Sequence, residues 1–144
     1  MDNPRILFVD DHDDTRFMIK MWLSQFNYEV ATAENMADGL RLAKINPFDL
    51  YILDTRFPDG RGTELCTKIR EFDRSTPIIF YSGETPKQLR SDLKYGAQEY
   101  VMKPEFDELE KAILRAVKPV RTKAGEGGKE KGEGAGCALA REYF

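Results

Sequence analysis

Residues 50–62 read Leu-Tyr-Ile-Leu-Asp-Thr-Arg-Phe-Pro-Asp-Gly-Arg-Gly. The first four are continuously apolar. A strand with one wet face alternates apolar and polar residues, whereas a strand covered on both faces does not. Leu50–Leu53 therefore reads as a strand inside a parallel sheet, and Asp54 ends it abruptly. The Pro58-Asp59-Gly60 that follows is turn chemistry.

Two further runs have the same character: Ile6-Leu7-Phe8-Val9 and Ile78-Ile79-Phe80-Tyr81. Tyr28–Thr32 and Glu99–Met102 are weaker strand candidates. Between them lie helical spacings. Met18, Ile19, Trp22, Leu23 and Phe26 mark a first helix, with Asp13 or Asp14 at its cap. Met36, Leu40 and Ala43 mark a second, ended by Asn46-Pro47. Leu65, Ile69 and Phe72 mark a third. Leu89 and Leu93 mark a short fourth, with Gly96 at its C-cap. Leu109, Ile113, Leu114 and Val117 mark a fifth, ended before Pro119. Five strand–helix units predict an α/β domain with helices on both faces of a five-stranded parallel sheet. Right-handed crossovers then favour the order 2-1-3-4-5, a flavodoxin-like (βα)5 fold.

This domain is expected over residues 1–120. Residues 121–144 are rich in Gly and mixed charge and lack apolar spacing, so they are expected to be a flexible tail. The closing Cys-Ala-Leu-Ala-Arg-Glu-Tyr-Phe (137–144) has no place in the fold and suits a tag or vector-derived extension. Of the 22 basic and 25 acidic residues, 5 and 4 lie in 121–144, leaving 17 and 21, a net −4, in 1–120. Such a body is a poor phosphate-backbone binder, and nucleic acid is not an expected partner. The N-terminus has no basic start followed by a long apolar stretch, and no run approaches a membrane span, so the cytoplasm is the expected location. Cys66 reads as a core residue. The chain has 1 histidine, His12, which rules out a site needing a His pair and reads as a surface loop residue.

In an open parallel sheet, ligands bind beyond the carboxyl ends of the strands, near the switch between the first and third. Asp10 and Asp11 follow the first strand, Asp54 the third, Ser82 the fourth and Lys103 the fifth. Three carboxylates in one crevice repel unless a cation joins them, and an all-oxygen set suits Mg²⁺. A carboxylate beside a divalent cation can attack phosphorus, with a donor and a cation serving the phosphoryl oxygens. Each residue alone has a plainer reading: Asp10 and Asp11 as helix caps, Asp54 in a turn, Lys103 solvated, Ser82 in a loop. Their coincidence at successive strand ends does not.

Val9-Asp10-Asp11, Leu53-Asp54 with Pro58 and Gly62, Tyr81-Ser82-Gly83, and Gly96-Ala97 leading to Tyr100 and Lys103-Pro104 together resemble the response-regulator receiver family, over roughly Arg5–Val117. The resemblance implies a phosphorylation switch in a two-component phosphorelay rather than an enzyme with a separate substrate. Asp54 would be the phosphoacceptor. Asp10, Asp11, Asp54 and the backbone carbonyl of Arg56 would hold Mg²⁺. Ser82 would bond the phosphoryl oxygen, Lys103 would pair with Asp54 or its phosphate, and the bond before Pro104 would be cis. Tyr100 would swing as Ser82 moves, changing the surface of the fourth helix, fifth strand and fifth helix.

Phe57 and Glu105 depart mildly from the family pattern. Arg56 and Glu84 stand where the family tunes phosphate lifetime; they either bridge over the site or are solvated. Phe17 and Met21, off the core stripe of the first helix, are either scattered surface residues or a docking patch. The family's phosphodonor is a histidine kinase or histidine phosphotransfer domain. The output would be a downstream protein, and the chain would be a monomer or a phosphorylation-dependent homodimer.

Three alternatives compete. A contact-only receiver would not need the full set Asp10, Asp11, Asp54, Ser82 and Lys103. An aspartyl phosphatase would need an acid where Arg56 stands. A flavin-binding flavodoxin would need a phosphate-cradling loop where this chain has Asp-Asp-His-Asp-Asp.

Overall fold

The computed structural model describes residues 3–84 and 96–124, with side chains to residue 117. Its elements are β1 (Arg5–Val9), α1 (Asp13–Ser24), β2 (Glu29–Ala33), α2 (Met36–Ile45), β3 (Leu50–Leu53), β4 (Arg56–Phe57), β5 (Gly60–Arg61), α3 (Gly62–Arg70), β6 (Ile78–Ser82), β7 (Glu99–Met102) and α4 (Phe106–Ala124). The main sheet has the order β2-β1-β3-β6-β7, and all its pairings are parallel. Counted within that sheet alone, this is the predicted 2-1-3-4-5.

The continuous apolar runs behave as two-sided strands. Ile6 and Phe8 of β1 join Leu50 and Ile52 of β3 in one core with Ile19, Trp22 and Leu23 of α1 and Leu109 and Ile113 of α4. Leu7, Val9, Tyr51 and Leu53 point the other way, into a second core with Ala43 of α2 and Leu65, Cys66 and Ile69 of α3. Period-two alternation sends successive side chains to opposite faces, so every residue of β1 after Arg5 and of β3 is buried. Cys66 is one of these core residues, and burial pushes its thiol up to about 11.

Several details differ from the sequence reading. β2 starts and ends one residue later than expected, at Glu29 and Ala33. His12, not Asp13 or Asp14, occupies the N-cap of α1, and its side chain makes no capping bond; the two acids fall in the first turn, where their charge suits the helix dipole. Met18 is 46% exposed and faces solvent, because Ile19, Trp22 and Leu23 already fill the buried stripe. Phe26 lies beyond α1 but packs on the core, and Phe72 lies beyond α3 and is exposed. α4 continues through Pro119 to Ala124, so residues 121–124 extend the helix instead of beginning the tail. A proline withdraws one N–H from a helix, which neighbouring bonds can outlast. The expected fourth helix at Leu89 and Leu93 lies outside the described residues, as do residues 125–144.

The turn after Asp54 is more ordered than its chemistry announced. Arg56 and Phe57 pair antiparallel with Arg61 and Gly60 as a small hairpin, β4–β5, between β3 and α3. Asp59 at its tip accepts bonds from Met36 N–H (2.9 Å) and Ala37 N–H (3.0 Å), tying the hairpin to the first turn of α2. Those bonds hold the Asp59 carboxyl below its usual range. Gly62 opens α3 against the strand end: a Cβ there would lie 2.2 Å from the Asp54 carbonyl oxygen.

Candidate functional site

The parallel pairing delivers three charged groups to one edge of the sheet. Asp10 leaves β1 with its N–H bonded to Ala33 O (3.1 Å), Asp54 leaves β3 bonded to Val9 O (2.9 Å), and Lys103 leaves β7 bonded to Ser82 O (2.8 Å). Each residue is thus the first beyond its strand and is still held by a ladder bond. Side-chain geometry follows from that register. Lys103 Nζ lies 2.7 Å from Asp10 Oδ2 and 3.2 Å from Asp54 Oδ2, one ammonium joining two carboxylates. The Lys103–Pro104 bond is cis.

Asp10 is fully buried and Asp54 is 6% exposed. Burial raises the Asp54 carboxyl above the ordinary range, and the Asp10 charge raises it further; Lys103 and the Thr55 N–H bond (2.7 Å) offset part of this. For Lys103, burial alone would lower the ammonium, yet its bonds to Asp10 and Asp54 and their charges carry it above its usual value. One cation therefore does not neutralise the crevice, and the site has capacity for more positive charge.

The donor atoms of Asp10, Asp11, His12 and Asp54 all lie within 4.8 Å of one another. Three carboxylates so spaced fit a hard divalent cation that keeps some water. His12 is closer to this group than its loop position suggested: Nδ1 is 3.0 Å from Asp10 Oδ1 and 3.2 Å from Asp11 Oδ1, with the ring still well exposed. A local turn causes this, because His12 N–H also donates to Asp10 Oδ1 (2.9 Å). Asp11, His12, Asp54, Arg56, Ser82 and Lys103 line an open crevice of about 480 Å³.

Ser82 is the last residue of β6 and is buried. Its Oγ lies 2.7 Å from Thr55 Oγ1 and accepts Glu84 N–H at 3.1 Å. Thr55 is fully buried beside Asp54, a contact no sequence spacing signals. Of the two fates left open for Arg56 and Glu84, the bridge forms: Arg56 Nε donates to Glu84 Oε2 at 2.5 Å. Arg61, which the sequence reading passed over, joins it through Nη2 to Glu84 Oε1 at 3.2 Å. Burial works to raise the Glu84 carboxyl, but bonds from Arg56, Thr55 and Arg61 bring it below its usual range. The Tyr100 hydroxyl donates to Glu84 O at 3.5 Å, and its ring packs on Phe80. Phe17 and Met21 stand apart from the crevice residues on the outer face of α1, 68% and 53% exposed, with Met18 beside them.

The family described as response regulator receiver domain matches residues 6–114. The nisin biosynthesis regulatory protein NisR of Lactococcus lactis is 39% identical over 101 residues, 69% of this chain and 44% of that protein. The response regulator ArlR of Staphylococcus aureus is 36% identical over 115 residues, 78% of this chain and 52% of that protein. The chain thus spans about half the length of these curated relatives. Among solved structures, response regulator protein TrrA of Thermotoga maritima, in complex with Mg²⁺-BeF, is 36% identical with a TM-score of 0.72, covering 78% of this chain and 98% of that one.

Proposed function

The chain belongs to the response regulator receiver domain family, and on that premise we propose that it is a phosphorylation switch with Asp54 as acceptor. Receivers are signalling modules phosphorylated by histidine kinases. In the reaction proposed here, a carboxylate oxygen of Asp54 bonds to the phosphorus of a phosphohistidine donor while the P–N bond breaks. The imidazole leaves with the electron pair and takes up a proton. Asp10, Asp11, Asp54 and the backbone carbonyl of Arg56 would hold Mg²⁺, which when bound neutralises charge on the phosphoryl oxygens. Lys103 supplies a second positive charge, and Ser82 donates its hydroxyl to a phosphoryl oxygen after giving up Thr55.

The observation that carries this reading is the Lys103 ammonium shared between Asp10 and Asp54, in a crevice whose acids still exceed its cations. A stable fold has no need to gather those charges at the end of a hydrophobic sheet. Movement of Ser82 would pull on Glu84 and Tyr100, and so on the surface of β7 and α4. The donor, a histidine kinase or histidine phosphotransfer domain, would dock on Phe17, Met18 and Met21 of α1. A downstream protein would read the altered surface, with the chain as a cytoplasmic monomer or a phosphorylation-dependent homodimer. Residues 1–124 would form the receiver domain, and the remainder would be the tail.

Beryllium trifluoride mimics a phosphoryl group on a carboxylate. Adding it with Mg²⁺ is expected to shift the backbone amide resonances of Asp54, Thr55, Ser82 and Lys103 together and to perturb Tyr100. Neither reagent alone should do so. Resonance changes confined to Asp10 and Asp11 would favour a simple cation site and contradict the switch.

A further inference from the structure

Arg56 and Arg61 are register partners across the β4–β5 hairpin. Side chains directly opposite in an antiparallel pair are neighbours, and like charges there destabilise it unless an anion joins them. Glu84 is that anion, its side chain 12% exposed and bonded to both guanidinium groups. Its backbone is tied as well, N–H to Ser82 Oγ and carbonyl to the Tyr100 hydroxyl. The base of Arg61 is equally fixed, since Arg61 N–H donates to Glu64 Oε1 (3.1 Å) in the first turn of α3. Arg56 and Glu84 line the crevice with Asp54, whereas Arg61 does not line it and reaches Glu84 at its other carboxylate oxygen, Oε1.

We infer that Arg61 is a positioning residue for the lifetime of the aspartyl phosphate: it holds Glu84 against Arg56, so that the pair stays closed as a wall of the crevice and restricts water. This rests on Asp54 being the phosphoacceptor. In hydrolysis a water oxygen bonds to phosphorus as the P–O bond to Asp54 breaks. The carboxylate is regenerated and both water protons leave with inorganic phosphate, from which one passes to solvent near neutral pH. Water must enter in line with the breaking bond, from the open side of the crevice. With the Arg61 side chain removed, Glu84 keeps one guanidinium partner, and that partner is the mostly exposed Arg56. The wall then opens more often.

The test follows the 144-residue chain after phosphorylation with phosphoramidate and Mg²⁺ and removal of the donor, reading loss of phosphate by intact mass. The expected result for Arg61→Gln is hydrolysis roughly 3- to 10-fold faster than wild type, with Arg61→Lys between the two. Glu84→Gln should be at least as fast. In the double variant, Arg61→Gln should add nothing to Glu84→Gln, since one acts through the other. An unchanged rate in Arg61→Gln, slower hydrolysis in either single variant, or fully additive effects would overturn the inference. Thermal unfolding of each variant separates a rate effect from lost structure, because the α3 bond at Arg61 uses the backbone. A wild-type chain that takes up no phosphate would instead overturn the acceptor assignment, and this inference with it.

Discussion

The Asp54 carboxylate gives up most of its water and sits beside a second buried acid, Asp10. A folded pKa raised above the unfolded one means that folding favours the protonated form. The contribution of Asp54 to stability is then fully present below the ordinary carboxylate range and is lost as pH rises through the raised folded value. Near pH 7, without a divalent cation, the ionised group is a local liability. Asp54→Asn is therefore predicted to be more stable than wild type by about 1 kcal/mol under those conditions. The gap should close as pH falls towards roughly 4 and should narrow when Mg²⁺ is added to wild type. Urea unfolding of the two proteins at both pH values checks this, and an Asn variant less stable at neutral pH would contradict it. The acids at Asp10, Asp11 and Asp54 were legible in the sequence because they stand in the first or second position after a strand run. Thr55, His12 and Arg61 were not. Their roles depend on a hydroxyl contact, a local turn and a cross-strand register that no spacing along the chain encodes.

Among the elements, the strands announced themselves most clearly. β1, β3 and β6 are continuous apolar runs because both faces are covered, and few other arrangements of so short a segment produce that pattern. Helix boundaries were less legible. α1 begins without the side-chain cap its acids suggested, and α4 passes a proline that usually signals an end. Hairpin β4–β5 is too short for periodicity to reveal, yet it carries Arg56 and Arg61 and, through Asp59, joins the loop after Asp54 to α2. Its junction with α3 is the tightest contact to the site. A Cβ on Gly62 would meet the Asp54 carbonyl oxygen at 2.2 Å, the Thr55 Cα at 2.9 Å and Phe80 at 3.1 Å. Two of those are backbone atoms that no rotamer change can move. Gly62→Ala is predicted to lower stability by about 2 to 3 kcal/mol, measured by denaturant unfolding, and to slow Asp54 phosphorylation by displacing the acceptor. A variant within about 0.5 kcal/mol of wild type would mean that α3 can step away from β3 at little cost.

For the molecule as a whole, one topological fact organises the rest. All the main strands are parallel, so their carboxyl ends share one edge and the residues leaving them meet there. The chain carries a net charge of −3, yet Lys103 bonds Asp54 and Arg56 and Arg61 bond Glu84 beside it, an arrangement that would suit the proposed entry of a phosphoryl group. Hydrophobic cores on both faces of the sheet hold that edge, while Phe17, Met18 and Met21 remain outward on α1. These parts support the proposal that Asp54 accepts one phosphate. The most direct measurement is intact mass after treatment with acetyl phosphate, with and without Mg²⁺, for wild type and Asp54→Asn. Wild type should gain one phosphate with Mg²⁺ and none without it, and the variant should gain none in either case. A folded wild-type chain that gains no phosphate under any of these conditions, or an Asn variant that gains it as readily, would overturn the assignment of Asp54 as acceptor.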